Sequence, residues 1–175
     1  MADVDLSVFD WIANQDYGFN RVSDEERKLA SDFAILWTYF EAQVCDTEAT
    51  PPKLKALALE IGTAKALDPA PIQDAMAHFR NRYIQNGEPS YHFEDLHFLE
   101  KYARPVWSIL ASDYKDMATE LEAALLIVHR YRNNLFHGVK WAYSLRGQED
   151  NFSHAIQLLK AIIPATIQVR GGFRG

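Results

Sequence analysis

Arg132 and His137 stand five positions apart, in the run Arg-Asn-Asn-Leu-Phe-His-Gly that spans positions 132–138. Arginine keeps its charge at physiological pH, and its planar fork of N–H donors fits the oxygens of a phosphate. Histidine titrates near neutral pH and serves as a general acid or base. Together these two side chains suit the cleavage of a phosphodiester bond.

RNA is the phosphodiester that such residues favour, because its own 2′-hydroxyl can attack the adjacent phosphorus. The reaction needs a base for that hydroxyl, an acid for the departing 5′-oxygen and positive charge on the phosphorane oxygens. Asn133 can orient either the histidine or the phosphate. One histidine per site is short of two proton-transfer groups, and a two-fold dimer would supply the second. We therefore expect an RNA substrate and a homodimer.

Polar and aromatic residues in and beside the run recur at helical spacing and form a stripe. It consists of His129, Asn133, Phe136, His137 and Lys140, and on a helix with an apolar opposite face it must look into a cleft, solvent or a partner. We take His129 and Lys140 as candidate substrate contacts. Each also has a structural explanation, His129 as an ordinary helix-face residue and Lys140 as a solvated helix end.

The direction of the side chains depends on where the helix ends. On a continuous helix Asn133 and His137 share a face, whereas Arg132 points roughly 140° away from His137. Either the long arginine side chain reaches round, or the helix loosens at Asn133-Asn134 and stops at Gly138. The sequence is compatible with both arrangements.

Two structural alternatives apply to the central pair. Arg132 is the only charge on an otherwise apolar stripe, so it could pair with Glu41 or Asp32 on the first long helix. His137 could cap the last turn of its helix, where a cation favours the helix dipole.

The run and its setting resemble the signature of the HEPN superfamily, helical proteins many of which are metal-independent ribonucleases. The match covers residues 121–163: a long helix, the run, a short polar loop and a closing amphipathic helix. Val139-Lys140 stands where several HEPN branches have Gly-Lys. The resemblance implies that Arg132 and His137 are catalytic, with Asn133 as the polar second residue, and that two copies of the motif meet at a homodimer interface. It also implies a toxin–antitoxin, abortive-infection or other defence role, and leaves room for a cognate antitoxin protein as a partner.

Superfamily members also serve as inactive modules, so two hypotheses stand. A nuclease predicts RNA cleavage in the presence of EDTA, leaving a 2′,3′-cyclic phosphate. A non-catalytic helical module that dimerises, or binds RNA or a protein, predicts binding without turnover. In the second case Arg132→Ala would alter affinity or assembly alone.

Composition narrows the class of protein. A net charge of −6 argues against broad, sequence-blind binding to nucleic acid, which needs many cations, but allows a small basic site. The single cysteine, Cys45, excludes an internal disulfide and suits a reducing compartment. The start carries acids at Asp3 and Asp5 rather than the bases of a secretory signal, and no apolar run approaches the roughly 20 residues that span a bilayer. We expect a cytoplasmic protein without membrane association. With no zinc-type cysteine pairs, we also expect no metal and no cofactor.

The hydrophobic pattern predicts an all-α fold, an up-and-down type bundle of about five to six helices. We divide the chain into an arm at 1–22, a HEPN-like helical domain at 23–168 and a flexible tail at 169–175. Ser23 and Glu26 form a capping box at the first helix, Gly87 stops the third, Pro105 kinks or splits the fourth, and the last, starting at Asn151 or Ser153, runs to Pro164. The expected helices span approximately 24–46, 51–66, 72–85, 91–111, 117–137 and 151–164.

Overall fold

The computed structural model describes residues 7–112, 116–136 and 145–172. These residues are mostly helical, which confirms the all-α prediction; they form eight α-helices, so the expected number of five to six is wrong. A 3₁₀ turn at Phe19–Arg21 and a hairpin of two-residue strands, β1 at Ile84–Gln85 and β2 at Glu88–Pro89, are also present. The helices are α1 Val8–Gln15, α2 Asp24–Val44, α3 Pro51–Ala64, α4 Ala70–Tyr83, α5 Tyr91–Glu94, α6 Glu100–Ala111, α7 Met117–Phe136 and α8 Glu149–Arg170.

Helix α7 lies at the centre of the fold. Its residues 123–128 are all buried, as expected of a helix that packs on every side. Helix α3 crosses it closely and antiparallel: Lys55 Nζ lies 3.3 Å from Glu122 Oε1, and a Cβ added to Gly62 would lie 2.7 Å from the Cβ of Ala118. Helices α4 and α6 also pack on α7. The helix that carries the Arg132 run is therefore held firmly by its neighbours.

Helices α2 and α8 pack side by side and run parallel. At their first turns Ser23 Oγ donates to Glu149 Oε1 at 3.1 Å, and at their last turns Arg170 Nη1 donates to the carbonyl of Val44 at 2.7 Å. Both helices are long, 21 and 22 residues. This pairing supports the side of α7 on which Arg132 lies, since α2 also contacts α7.

Helix α2 begins with the capping box that the sequence predicts. Ser23 Oγ accepts from the Glu26 N–H at 3.1 Å, and Glu26 Oε2 accepts from the Ser23 N–H at 2.7 Å. The other Glu26 oxygen accepts from the N–H of Gly147, just before α8. The capping box is thus confirmed, and its carboxylate also ties α2 to α8. The buried face of α2 includes Phe33, Trp37, Phe40 and Val44.

The segment expected to be one helix from 91 to 111 is two helices. They separate at 95–99, where His97 adopts a φ of +50°, and not at Pro105, which lies within α6. Pro105 stands in the second turn of α6, so it removes a single intrahelical bond. Of the two outcomes predicted for Pro105, a kink or a split, the split is wrong: the chain breaks earlier, where His97 takes a left-handed conformation. The kink stays a prediction.

Gly87 was expected to end the third helix, and this prediction is wrong. Helix α4 already ends at Tyr83, and Asn86 and Gly87, with φ of +54° and +82°, form the two-residue turn between β1 and β2. A two-residue hairpin of this type requires positive φ at both positions, which asparagine and glycine tolerate best. The Asn-Gly pair was therefore a hairpin signal rather than a helix stop.

The last helix is longer at both ends than the sequence predicts. It begins at Glu149 and continues through Pro164 to Arg170. Pro164 is exposed, so its ring lies on the solvent side and costs one backbone bond. The next turn is buried at Thr166, whose hydroxyl donates to the carbonyl of Ile162 at 2.8 Å. Burial of this turn offsets the missing bond.

The ends of the described chain pack on the same body. Phe9 of α1 stacks on Phe19, with ring centroids 6.1 Å apart, and Phe19 is fully buried in the common core. At the other end Arg170 donates to both carboxylate oxygens of Glu60 on α3, at 2.9 and 2.7 Å. Residues 7–22 thus contribute to the core that carries α7.

Candidate active site at the end of the central helix

The described part of the predicted site lies on the last turns of α7. His129, Arg132 and Asn133 belong to this helix, which is described through Phe136. His137 and Lys140 lie outside the described residues. Among the site residues that the sequence predicts, the described geometry therefore concerns His129, Arg132 and Asn133.

Arg132 is half-buried and has partners on several sides. Its Nη1 donates to Asn133 Oδ1 at 3.2 Å, its Nη2 lies 3.9 Å from Glu41 Oε2, and its guanidinium carbon lies 5.2 Å from the centroid of the Phe136 ring. Its side chain is 32% exposed, whereas that of Glu41 is 16% exposed. The Nε is buried and has no hydrogen-bond partner among the described residues. Since a guanidinium has five N–H donors and only one Nη hydrogen is bonded within this part of the chain, to Asn133, the two Nη groups retain donors for a further acceptor.

Glu41 is held in place independently of Arg132. One of its carboxylate oxygens accepts from the N–H of Ala49 at 3.1 Å, across the turn that follows α2. The turn itself is tight, with Asp46 and Thr47 at positive φ. Of the two ion-pair partners proposed for Arg132, Glu41 is the one found beside it, while Asp32 accepts from Lys28 at 2.6 Å. At 3.9 Å the pair is an ion pair without a direct hydrogen bond.

The polar side chains near the described end of α7 lie on two faces of the helix. Arg130 Nε donates to the carbonyl of Leu96 at 2.6 Å, and Asn134 Nδ2 donates to the carbonyl of Asp95 at 3.1 Å. Both bonds fasten the end of α7 to the break between α5 and α6, whereas Arg132 faces α2. Neither Arg130 nor Asn134 is assigned a role from the sequence; the four-residue spacing of the two, which puts them on one helix face, was the available signal.

His129 packs against an aromatic ring rather than standing free. Its ring centroid lies 5.9 Å from that of Trp37. Burial, reinforced by the charges of Arg130 and Arg132, lowers the pKa of His129 to about 4, against an opposing effect of Glu41. The imidazole is therefore neutral at pH 7. It can contact a substrate as a neutral group, but it is a poor reservoir of the proton that a leaving group needs.

The depressed pKa of His129 predicts a loss of stability in acid. The unfolded chain binds this proton near pH 6.5 and the folded chain near pH 4, so the stabilisation is complete above pH 6.5 and is lost as the pH falls toward 4. We expect the free energy of unfolding to fall by about 2–3 kcal/mol across this window through His129. Urea titrations at a series of pH values measure it: His129→Leu should remove that part of the slope.

His97→Asn is the matched control, because it replaces an exposed histidine and leaves His129 intact. It should retain the acid-side loss that His129 causes. If His129→Leu and the native chain lose stability in parallel between pH 7 and pH 4, the assignment of this effect to His129 is wrong.

A buried tyrosine pair underlies the run. The hydroxyls of Tyr83 and Tyr131 lie 2.7 Å apart, and each ring is almost fully buried. Burial raises the pKa of Tyr83 to about 12 and that of Tyr131 well above its ordinary value. Both therefore remain neutral phenols that satisfy each other. Tyr131 turns inward while its neighbours Arg130 and Arg132 reach the surface, so the pair fixes the rotation of α7.

A groove of about 480 Å³ lies away from the predicted site, between α1 and the first half of α2. Its lining includes Asp24, Arg27 and Lys28 but no predicted site residue. Across residues 7–112, 116–136 and 145–172, no cluster of three or more His, Cys, Asp or Glu side chains is arranged to hold a metal ion. In the same residues no helix combines the length and the apolar character needed to cross a membrane.

Comparison with models of protein families, with curated proteins and with solved structures found no match to this chain. Any functional assignment therefore depends on the residues and geometry described above.

Proposed function

We propose that the protein is a metal-independent endoribonuclease of the HEPN type that acts as a homodimer. The observation that carries the proposal is the partly exposed guanidinium of Arg132, whose Nη groups retain N–H donors beyond the bond to Asn133, in a run whose next ionisable residue is His137. In this assignment Arg132 binds the phosphate and stabilises the phosphorane, and His137 transfers the protons. Asn133 orients Arg132, to which it is hydrogen-bonded.

The local surroundings of Arg132 support its role as an anion ligand. A solvent-accessible guanidinium of free orientation would lose much side-chain entropy on binding a phosphate. Here Asn133, Glu41 and Phe136 restrict it in advance. Because none of the three contacts uses all of its donors, the group is positioned without being neutralised by a bidentate carboxylate. Lys140 and His129 remain candidate substrate contacts, His129 as a neutral imidazole.

Two copies of the run are required in this proposal. The mechanism uses one proton acceptor and one proton donor, and each chain contributes a single histidine in the run. His129, the nearest other histidine, has a pKa of about 4 and is therefore unsuited to be the donor at neutral pH. A homodimer with the two runs facing each other provides two histidines, one for each proton transfer. A toxin or other defence component, with a cognate antitoxin as partner, is the context that the HEPN resemblance suggests.

A second function is a non-catalytic module that dimerises, or binds RNA or a protein. One observation favours it: Arg132 already has structural partners, Glu41 on α2 and Asn133 and Phe136 on its own helix. The arginine could then serve only to hold α7 to α2. The two functions differ in turnover, since the module binds without cutting.

The deciding experiment incubates the purified chain with RNA in the presence of excess EDTA. A nuclease of the proposed kind produces fragments that end in 2′,3′-cyclic phosphate, and the native chain elutes as a dimer on a calibrated sizing column. His137→Ala should elute in the same position and leave the RNA intact. RNA that stays uncut by the native chain, or that is cut equally by His137→Ala, would contradict the proposal.

A further inference from the structure

We propose that Phe136 is a base-stacking platform for the same site, so that the RNA it accepts is unpaired at the bound nucleotide. The inference rests on the proposed function, because it assigns that site a substrate class, single-stranded RNA. Phe136 is the last described residue of α7, and 54% of it is exposed although it is a large apolar residue. Its neighbours in the same turn, Asn133 and Arg132, are half-buried polar residues.

The ring of Phe136 is already associated with the cation that binds the phosphate in our proposal. The guanidinium carbon of Arg132 lies 5.2 Å from the ring centroid, within the range of a cation–π contact. More than half of the residue nevertheless remains accessible. A nucleotide base can therefore lie against the ring while its own phosphate reaches the guanidinium beside it. The two side chains would hold adjacent parts of one nucleotide.

Charge alone is a weak source of affinity at this site. The chain has a net charge of −6, and Glu41 places a carboxylate 3.9 Å from the Arg132 guanidinium. Few phosphates can be neutralised under these conditions, so counterion release contributes little. Stacking of a base on an aromatic side chain is independent of net charge and raises affinity by about 5- to 150-fold per base. Phe136 is an exposed aromatic residue in contact with Arg132, and its ring supplies the stacking contribution to the affinity.

The platform selects unpaired RNA. In a duplex both faces of a base are covered by its neighbours, and the deep, narrow groove of A-form RNA does not admit side chains to the bases. A ring at the end of a helix can stack only on a base that has left the duplex. We therefore expect loops and single strands to bind, and continuous duplexes to bind more weakly.

The test uses binding rather than cleavage. The probe is a 2′-O-methyl RNA oligonucleotide, which lacks the attacking hydroxyl, with 2-aminopurine as reporter of stacking. Phe136→Leu should weaken binding of the single strand about tenfold or more and abolish the quenching of 2-aminopurine. Phe136→Trp should retain both. Tyr39→Leu is the matched control, because Tyr39 is an exposed aromatic residue on α2 outside the run, and it should bind as the native chain does. A duplex of the same sequence should bind weakly to all four proteins.

The outcomes separate this inference from the nuclease. A single strand that binds through Phe136 but whose unmodified form is not cut supports the platform and contradicts the nuclease. RNA that Phe136→Leu binds and cuts like the native chain supports the nuclease and overturns the platform. If Phe136→Leu no longer elutes as a dimer but binds RNA with unchanged affinity, Phe136 is a contact between two chains, and the platform is overturned. The platform is also overturned if the native chain binds duplex and single strand with equal affinity, or binds neither.

Discussion

Replacement of Arg132 by alanine is expected to lower the rate of RNA cleavage by about 1,000-fold. An arginine that stabilises the charge of a phosphoryl transition state is worth about 10³-fold or more, which corresponds to roughly 4 kcal/mol of activation free energy. Arg132→Lys should recover only a small part of the rate, since lysine keeps the charge but lacks the planar fork. Single-turnover cleavage of a labelled RNA measures both variants.

A structural arginine provides the control for Arg132→Ala. Arg170 donates to both oxygens of Glu60 and to the carbonyl of Val44, so its donors are engaged in holding α8 to α3 and α2. Arg170→Ala should lower the free energy of unfolding without changing the cleavage rate of the folded protein. If Arg132→Ala instead behaves like Arg170→Ala, losing stability but not rate, Arg132 is a clamp between α7 and α2 and not a catalytic residue.

The parts of the fold that short-range pattern controls were predictable from the sequence. The Ser23–Glu26 capping box gives the start of α2, and the helical spacing of Phe33 and Trp37 gives its buried face. Both depend on residues within one or two turns. The placement of Arg132 and Asn133 on α7 follows in the same way, from the helical spacing of the apolar residues that precede them.

The parts that depend on distant packing were not predictable. Pro164 usually marks a helix end, and it is tolerated in α8 because it falls on the exposed side, which only the packed structure reveals. The break at 95–99 depends on the left-handed conformation of His97. That break in turn determines the partners of Arg130 and Asn134. The division of the run into two faces was therefore beyond what spacing alone could show.

Some features were present in the sequence as signals that the helical pattern outweighed. Asn86-Gly87 is a strong hairpin pair, but after a helix it also fits a stop. The pair of Arg132 with Glu41 follows from charge on two facing helices. The sequence offered Asp32 as an equal choice, and the packing of α2 on α7 decides between them. The sequence indicates which charged residues need an ion-pair partner, and the tertiary packing determines which partner each one has.

Phe33→Ala is expected to lower the free energy of unfolding by about 3–5 kcal/mol, the cost of removing a large ring from a close-packed core. Phe33 is 0% exposed, and its ring centroid lies 5.2 Å from that of Phe152 on α8 and 6.1 Å from that of Trp37. The substitution leaves a cavity between α2 and α8, the two parallel helices that flank the site. Urea unfolding followed by circular dichroism measures the change as a lower midpoint with an unchanged slope.

Ile35→Ala is the matched control, two residues away on the same helix. Ile35 is 71% exposed, so its truncation should change the free energy of unfolding by no more than about 0.5 kcal/mol. Equal losses in the two variants would contradict the buried face assigned to α2. A loss in Ile35→Ala that grows with protein concentration would have a different meaning: the outer face of α2 would then be covered in an oligomer, because stability that is coupled to assembly depends on concentration.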